Sequence, residues 1–118
     1  MIRIALPMPP SVNGLYANKK AGGRTKTAEY KAWHKLASTK IKASHRQGLG
    51  PYNISIQLRQ SVVSSLSDIA NREKSLSDFL VAHGVIKDDR YCRSLFMTWA
   101  EDIEADCVVI VEPVEVAR

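Results

Sequence analysis

The chain has 118 residues, 45% of them hydrophobic, and a formal net charge of +5, which predicts one domain, residues 1–118, with a modest core. No segment approaches the ~18 consecutive apolar residues of a membrane span, and no charged segment followed by an apolar run indicates a signal peptide. Cys92 and Cys107 lie outside any CxxC spacing, which predicts buried thiols in a reducing compartment rather than a disulfide or a zinc site. We therefore expect a cytoplasmic protein with no membrane-spanning segment.

The positive charge lies mostly in the first half of the sequence, ahead of an acidic segment. The basic residues there are Lys19, Lys20, Arg24, Lys26, Lys31, Lys35, Lys40, Lys42 and Arg46. This division suits a polyanion that one region holds and another region cuts. Ordinary solubility charge is the alternative interpretation, and a net charge of +5 is compatible with it.

The first predicted elements are a short strand and a polar loop. Residues 1–6 alternate Ile2, Ile4 and Leu6 with less apolar side chains, and the prolines at 7, 9 and 10 end this strand because proline cannot donate to a ladder. Residues 11–26 form a polar loop with glycines at 14, 22 and 23. We interpret the loop as an arm that grips phosphate groups; the alternative is a flexible loop with solvated charges. The sequence contains no GxxxxGK[ST] run, so it does not predict a nucleotide-binding P-loop.

A long helix is predicted from Thr27 to about Gln47. Its apolar stripe is Tyr30, Trp33, Ala37 and Ile41, and the opposite side carries Lys31, Lys35 and Lys42. The spacing of Trp33 predicts a core residue rather than a platform for base stacking. His34, His45 and His83 have no partner at metal-ligand spacing, so we interpret them as surface or satisfied histidines.

Three further strands and a second helix complete the predicted fold. Ile54, Ile56 and Leu58 alternate with polar residues in the clearest half-buried strand. Residues 91–100 and 105–114 predict two strands of an antiparallel hairpin, the second of them continuously apolar from position 107 to 111 and so central or interfacial. With the helix after residue 68, the order β-α-β-α-β-β predicts a two-layer α/β domain in which two helices pack on a mixed sheet of about four strands.

The segment 67–89 carries the main functional pattern. Asp68 stands at the predicted N-cap of the second helix. The helix has a polar stripe of Asn71, Lys74 and Asp78 and an apolar face of Ile69, Leu76, Phe79 and Leu80. Gly84 ends it in the manner of a C′ glycine, and the pair Asp88 and Asp89 follows, close enough in a compact fold to return to the start of the helix.

Acidic residues on both sides of a helix that carries a lysine can hold a divalent cation and a phosphate together. Carboxylates ligate magnesium or manganese at two or three positions, and a nearby lysine offsets phosphate charge. The alternative is a capped helix with solvated charges, since aspartate N-caps and exposed lysines are common.

Two separated motifs resemble the RusA family of Holliday junction resolvases. The run LPMPPSVN, residues 6–13, is similar to the family's LPxPPSxN opening. The pattern D-x-x-N-x-x-K-x-x-x-D-x-L-x-x-x-G-x-x-x-D-D is filled here by Asp68, Asn71, Lys74, Asp78, Leu80, Gly84, Asp88 and Asp89. The resemblance covers nearly the whole chain. It implies a RusA-like fold, a homodimer, and cleavage of four-way DNA junctions with Mg²⁺, for which Mn²⁺ substitutes.

The resemblance also implies roles for single residues. The expected catalytic residues are Asp68, Lys74, Asp88 and Asp89, with Asp68, Asp88 and Asp89 as metal ligands. When the resemblance is combined with the interpretation of residues 11–26 as a phosphate-gripping arm, the expected DNA contacts are Asn13, Lys19, Lys20, Arg24, Lys26, Asn71 and Lys74. Asp78 is explained equally well by capping or salt bridging within its helix and by support of a ligand.

Position 70 departs from the family pattern. The family has D-x-D-N, and Ala70 replaces the second aspartate. Magnesium keeps many of its waters, so Asp68 and Asp89 can still bind a metal weakly. Positioning of the attacking water tolerates less error, because a small misplacement costs ~10²-fold in rate. We therefore expect an impaired or inactive nuclease. A natural loss and an engineered inactivation are both open, and the otherwise intact motif favours the second.

The function predicted from these features is that of a metal-dependent endonuclease acting on four-way DNA junctions in recombination and repair. A junction has two equivalent strands to cut, so a chain with one site is expected to form a two-fold dimer. One alternative is a protein that binds branched DNA without cleaving it. Another is a general metal-dependent nuclease without junction preference.

Overall fold

The computed structural model describes residues 1–12, 16–18 and 24–115, with the backbone alone at 16–18, 24 and 25. In chain order the elements are β1 (Ile2–Leu6), β2 (Tyr16–Asn18), β3 (Arg24–Lys26), α1 (Ala28–Ser38), β4 (Tyr52–Arg59), α2 (Glu73–Ala82), β5 (Cys92–Ala100) and β6 (Cys107–Pro113). Four strands form one sheet in the order β1-β6-β4-β5. Strands β4 and β5 are parallel, and the other pairs are antiparallel. The predicted α/β domain with a mixed four-stranded sheet and two helices is therefore confirmed.

One face of the sheet carries the helices. The register places Ile4 and Ile56 on either side of Val109, so alternate residues of three strands point the same way. These side chains share a buried cluster with Tyr30, Trp33 and Ala37 of α1 and Leu76, Phe79 and Leu80 of α2. Strand β6 is central, as its continuous apolar run predicts. Within the described residues, no helix is both long and apolar enough to cross a membrane.

Both cysteine thiols are free. Cys107 is fully buried in β6, and burial raises the pKa of its thiol to about 12. Cys92 begins β5 and is only half-buried. The expectation of two buried thiols is thus confirmed for Cys107 and only partly met by Cys92.

The predicted hairpin between the last two strands is wrong, because β4 lies between β5 and β6. Their connection, residues 101–106, crosses the end of β4 at Arg59. The Arg59 N–H donates to the Asp106 carbonyl at 2.9 Å, its Nη1 donates to Asp106 Oδ1 at 2.8 Å, and its Nη2 donates to the Ile103 carbonyl. Strands two positions apart are separated by ~10 Å, a gap that six residues span easily.

The first helix is shorter than predicted, ending at Ser38 rather than near Gln47. The hydroxyls of Ser38 and Thr39 donate to the carbonyls of Lys35 and Leu36 and so satisfy groups at the helix end. A separate 3-10 turn follows at Ala43–His45. His45 Nδ1 accepts from the Lys42 N–H at 3.0 Å, which confirms it as a satisfied histidine.

The segment predicted as a polar loop contains a short antiparallel ladder. Strand β2 pairs with β3, with Ala17 opposite Thr25. The residues between them, 19–23, lie outside the described part of the chain. The phosphate-gripping role of this arm remains a prediction.

The proline run after β1 is held by side chains from both helical segments. Trp33 Nε1 donates to the Pro7 carbonyl at 3.1 Å. Arg72 Nη1 donates to the Pro9 carbonyl at 2.6 Å, and the buried Ser75 hydroxyl donates to the Pro10 carbonyl at 3.0 Å. Because the prolines have no N–H, their carbonyls are the backbone groups that can anchor this segment. These contacts join the two sequence motifs in space.

Gly84 ends α2 with a left-handed residue, as predicted. Its φ is +73°. The Gly84 N–H donates to the Val81 carbonyl at 3.1 Å and the Val85 N–H donates to the Leu80 carbonyl at 2.9 Å, which is the bond pattern of a Schellman motif. The turn directs the chain from α2 toward Asp88 and Asp89.

Substitution of Gly84 by alanine should lower the free energy of unfolding by roughly 1–2 kcal/mol, because a side chain disfavours the left-handed conformation. An added Cβ would meet only the Arg46 Cβ at 3.9 Å, an ordinary contact, so the cost comes from the backbone. Gly50→Ala is the matched control, since its Cβ enters open space and its φ is not left-handed. Equal urea midpoints for the two variants would contradict this assignment.

Candidate functional site

An open pocket of about 360 Å³ lies beside α2 and brings together basic and acidic side chains. Its lining residues are Lys26, Tyr30, His34, Lys74, Asp78, Val81, Ala82, Asp88 and Asp89. They come from the end of β3, from α1, from one side of α2 and from the turn that precedes β5. The pocket therefore contains the predicted residues Lys26, Lys74, Asp88 and Asp89, together with Asp78.

Lys74 lies between two carboxylates in this pocket. Its Nζ is 3.1 Å from Asp78 Oδ1 and 3.8 Å from Asp89 Oδ2. The hydrogen bond with Asp78, and then the nearby negative charge of Asp89, raise the pKa of the Lys74 amine. Lys74 therefore stays protonated at neutral pH. Since its side chain is 52% exposed, the ammonium group remains accessible to a phosphate in solution.

Asp88 and Asp89 form the acidic side of the pocket. Asp88 Oδ1 accepts from the Arg90 N–H at 3.0 Å and so caps the 3-10 turn Asp89–Tyr91. This bond, and then a contact with the Asp89 side chain, lower the pKa of the Asp88 carboxyl. The cap fixes the direction of Asp88 while Asp89 reaches toward Lys74. Two adjacent aspartate side chains therefore lie beside the Lys74 ammonium group.

Asp68 caps a different 3-10 turn and lines a different pocket. Its Oδ1 accepts from the Ala70 N–H at 3.0 Å, so it is an N-cap as predicted, but of the 3-10 turn Ile69–Arg72. The α-helix begins only at Glu73, with Arg72 as its N-cap at φ −104° and ψ −4°. Asp68 and Asn71 line a second pocket of about 240 Å³ that does not include Asp88 or Asp89.

The carboxylates in the first pocket fit a hydrated divalent cation better than a fully protein-ligated one. Within the described residues, no three His, Cys, Asp or Glu side chains converge as a metal-binding group. The adjacent pair Asp88 and Asp89 meets the smaller requirement of Mg²⁺, which commonly takes one or two carboxylates and keeps several waters. Ala70, exposed on its 3-10 turn, contributes no ligand.

The structure places only part of the predicted DNA-contacting set. Lys26 lines the first pocket with its Nζ 5.4 Å from the centre of the Tyr30 ring, a cation–π distance. Asn13, Lys19 and Lys20 lie outside the described residues, as does the Arg24 side chain. Lys26 and Lys74 are therefore the basic residues of that set that share a pocket with the carboxylates.

His34 is a pocket residue that the sequence interpretation missed. The centre of its ring lies 4.6 Å from the centre of the Tyr30 ring and 5.3 Å from that of Phe79. It also stacks with the His83 ring, with 6.3 Å between the ring centres. Within the described residues its buried Nε2 has no hydrogen-bond partner, so the interpretation as a surface or satisfied histidine is wrong for His34. The spacing of Tyr30 and His34, one helical turn apart on the predicted helix, could have indicated that His34 lies on the same face as the buried Tyr30.

No protein-family model matches this sequence, and a search of curated proteins finds no significant match. The resemblance to RusA resolvases therefore depends on the two sequence motifs alone.

The histidines between the helices should make the fold less stable in acid. Burial, then the charge of Lys26, then His83 lower the pKa of His34 below its usual 6.5, although Asp78 opposes the shift. Burial and then Arg46 do the same for His83. As pH falls through 6.5, the unfolded chain takes up protons that the folded chain does not bind, and stability is lost.

Urea unfolding at pH 7.5 and 5.5 tests this expectation. The free energy of unfolding should be lower at pH 5.5, and His34→Phe should show a smaller loss than the unsubstituted chain. His45 shifts in the same direction through burial and Lys42, so some loss should remain in the variant. Equal stability at the two pH values would contradict the assignment.

Proposed function

We propose that this chain is a RusA-type Holliday junction resolvase, a Mg²⁺-dependent endonuclease of recombination and repair whose activity is impaired by Ala70. The observation that carries the proposal is the single pocket in which Lys74 Nζ lies 3.8 Å from Asp89 Oδ2 with Asp88 alongside. A protonated lysine and two aspartate side chains, open to solvent, are groups that metal-dependent phosphodiester hydrolysis uses.

Each residue of the pocket has a distinct role in this proposal. Asp88 and Asp89 would hold the cation, which supplies a water of lowered pKa as the nucleophile when it is bound. Lys74 offsets the charge that accumulates on the scissile phosphate. Asp78 is a positioning residue, because its 3.1 Å contact with Nζ keeps the Lys74 side chain over the pocket. Lys26 neutralises a phosphate at the pocket edge.

Asp68 and Ala70 explain the expected impairment. Because Asp68 lines the neighbouring pocket, its proposed part in holding the cation requires its side chain to release the Ala70 N–H and reorient when metal binds, while the backbone of the turn Ile69–Arg72 stays in place. A carboxylate at position 70 would add a second charge on that turn and favour the reoriented form. Alanine provides no such attraction, so the cation is held by fewer ligands and the attacking water is less well positioned.

The symmetry of the substrate supports a dimer. A four-way junction presents two equivalent strands, and symmetrical resolution requires two active sites related by a two-fold axis. The residues that the structure describes form one pocket that combines Lys74 with Asp88 and Asp89, so we propose that the protein acts as a homodimer on branched DNA.

Restoring the carboxylate tests the proposed function. With Mg²⁺ and a four-way junction, Ala70→Asp should cleave about 100-fold faster than the unsubstituted chain, because it restores the ligand that positions the water. Adding Asp89→Asn to Ala70→Asp should abolish the gain, whereas adding Asp102→Asn, in the exposed connection before β6, should not. Equal cleavage by the unsubstituted chain and Ala70→Asp would contradict the role given to position 70.

The same assay separates the two competing functions. Gel-shift binding of the junction with no cleavage by Ala70→Asp would identify a branched-DNA-binding protein instead. Equal cleavage of a linear duplex and of the junction would identify a general nuclease.

A further inference from the structure

The second pocket, which contains Asp68, has the composition of a phosphate subsite. It has a volume of about 240 Å³ and is lined by Ser11, Leu66, Ser67, Asp68, Asn71 and Arg72. Most of these side chains are polar, and all but Asp68 and Leu66 can donate hydrogen bonds. Ser11 comes from the proline-run segment and the others from the connection into α2, so the pocket forms where the two sequence motifs meet.

Arg72 is the cationic residue of this pocket and the one with which an anionic ligand would pair. Its Nη1 donates to the Pro9 carbonyl at 2.6 Å, but its buried Nε–H has no acceptor within the described residues. Arg72 also forms no salt bridge with any of the residues that the structure describes. Burial lowers the pKa of the guanidinium, with a smaller opposing effect from Glu29. Arginine nevertheless stays charged, so a half-buried cation is left without an ion pair among the described residues.

We propose that this pocket binds a backbone phosphate of the DNA strand whose neighbouring phosphate is cleaved in the first pocket. Arg72 provides the charged donor, since guanidinium groups match phosphate oxygens in geometry. The hydroxyls of Ser11 and Ser67 and the amide of Asn71 provide neutral donors. The subsite depends on the proposed function, because it needs a DNA strand in the first pocket.

The two pockets are close enough for one strand to reach both. Asn71 lines the second pocket and Lys74 the first, and the two residues are three positions apart. Even a fully extended chain spans at most about 11 Å over three residues, so the Cα atoms of these two residues lie within that distance of each other. A DNA strand rises ~3.4 Å per nucleotide, so phosphates within a few nucleotides of each other span that distance.

Asp68 sets a condition on the ligand. Its carboxylate also lines the pocket and repels an isolated anion. A free phosphate must overcome this repulsion with the pocket contacts alone, whereas a DNA phosphate is held in place by the rest of the strand. The subsite should therefore favour DNA over inorganic phosphate.

The salt dependence of junction binding tests the subsite. A labelled four-way junction is bound without divalent cations, and the slope of log K against log salt is measured. Arg72→Gln should reduce that slope by about 0.9 and weaken binding about 10-fold, because one phosphate contact is lost. Arg3→Gln is the matched control, since Arg3 already pairs with Glu104 at 2.7 Å, and its slope should not change.

The outcomes separate the subsite from the proposed function. No junction binding by the unsubstituted chain would overturn both. Normal binding, with the same slope and affinity for Arg72→Gln as for the control, would overturn the subsite alone.

Two further measurements address a variant that fails to fold, since Arg72 also holds Pro9. Ser67→Ala, whose side chain has no such anchoring role in the described residues, should weaken binding a few-fold without changing the slope. In the unsubstituted protein, the Arg72 Nε–Hε NMR signal should shift when micromolar DNA is added. Inorganic phosphate should shift the same signal only at far higher concentrations. A signal that responds to inorganic phosphate and not to DNA would overturn the proposal.

Discussion

The carbonyl groups of the proline run hold the architecture of both pockets together. The prolines at positions 7, 9 and 10 follow β1 and have no N–H groups, so they cannot continue its ladder. Their carbonyl groups instead accept hydrogen bonds from Trp33, Arg72 and Ser75. Those donors come from α1, from the turn before α2 and from α2 itself. One short segment therefore fixes where both helical segments lie relative to the sheet, and Ser11, the next residue, lines the second pocket.

Local hydrogen bonds then orient the acidic residues. Asp68 and Asp88 each accept from the N–H two positions ahead, at 3.0 Å, and each caps a 3-10 turn. Capping explains part of the sequence pattern without any metal, and it also fixes two carboxylates at the ends of the α2 segment. The Schellman turn at Gly84 returns the chain so that Asp89 approaches Lys74. Structure and proposed chemistry use the same side chains.

Sequence periodicity predicted the elements whose packing is regular. Alternation in β1 and β4 reflects burial of one face of each strand against the helices. The continuous apolar run in β6 reflects burial on both faces, since Cys107, Val109 and Val111 join the core cluster and Val108 is buried outside it. The order of the strands was less accessible. An apolar run predicts a central strand but not its neighbours, and the crossing of the 101–106 connection depends on Arg59, which reads in sequence as an ordinary strand end.

The sites show the same division between local and tertiary information. The pairing of Lys74 with Asp78 follows from i, i+4 spacing on a helix. The separation of Asp68 from Asp89 does not follow from sequence spacing. It depends on the 3-10 turn Ile69–Arg72, where the helical pattern predicted an α-helix. The roles of His34 and Arg72 also depend on what packs against them, since a buried nitrogen without a partner is visible only in three dimensions.

Paramagnetic broadening by Mn²⁺ tests the central claim, that Asp88, Asp89 and Lys74 form a cation and phosphate site, most directly. Substoichiometric Mn²⁺ is added to the isotope-labelled protein and amide signals are compared. The account predicts broadening centred on residues 88–90 and on Lys74 and Asp78, removed by Asp89→Asn. Broadening centred on the acidic connection 101–106 instead, or spread evenly over the surface, would contradict it.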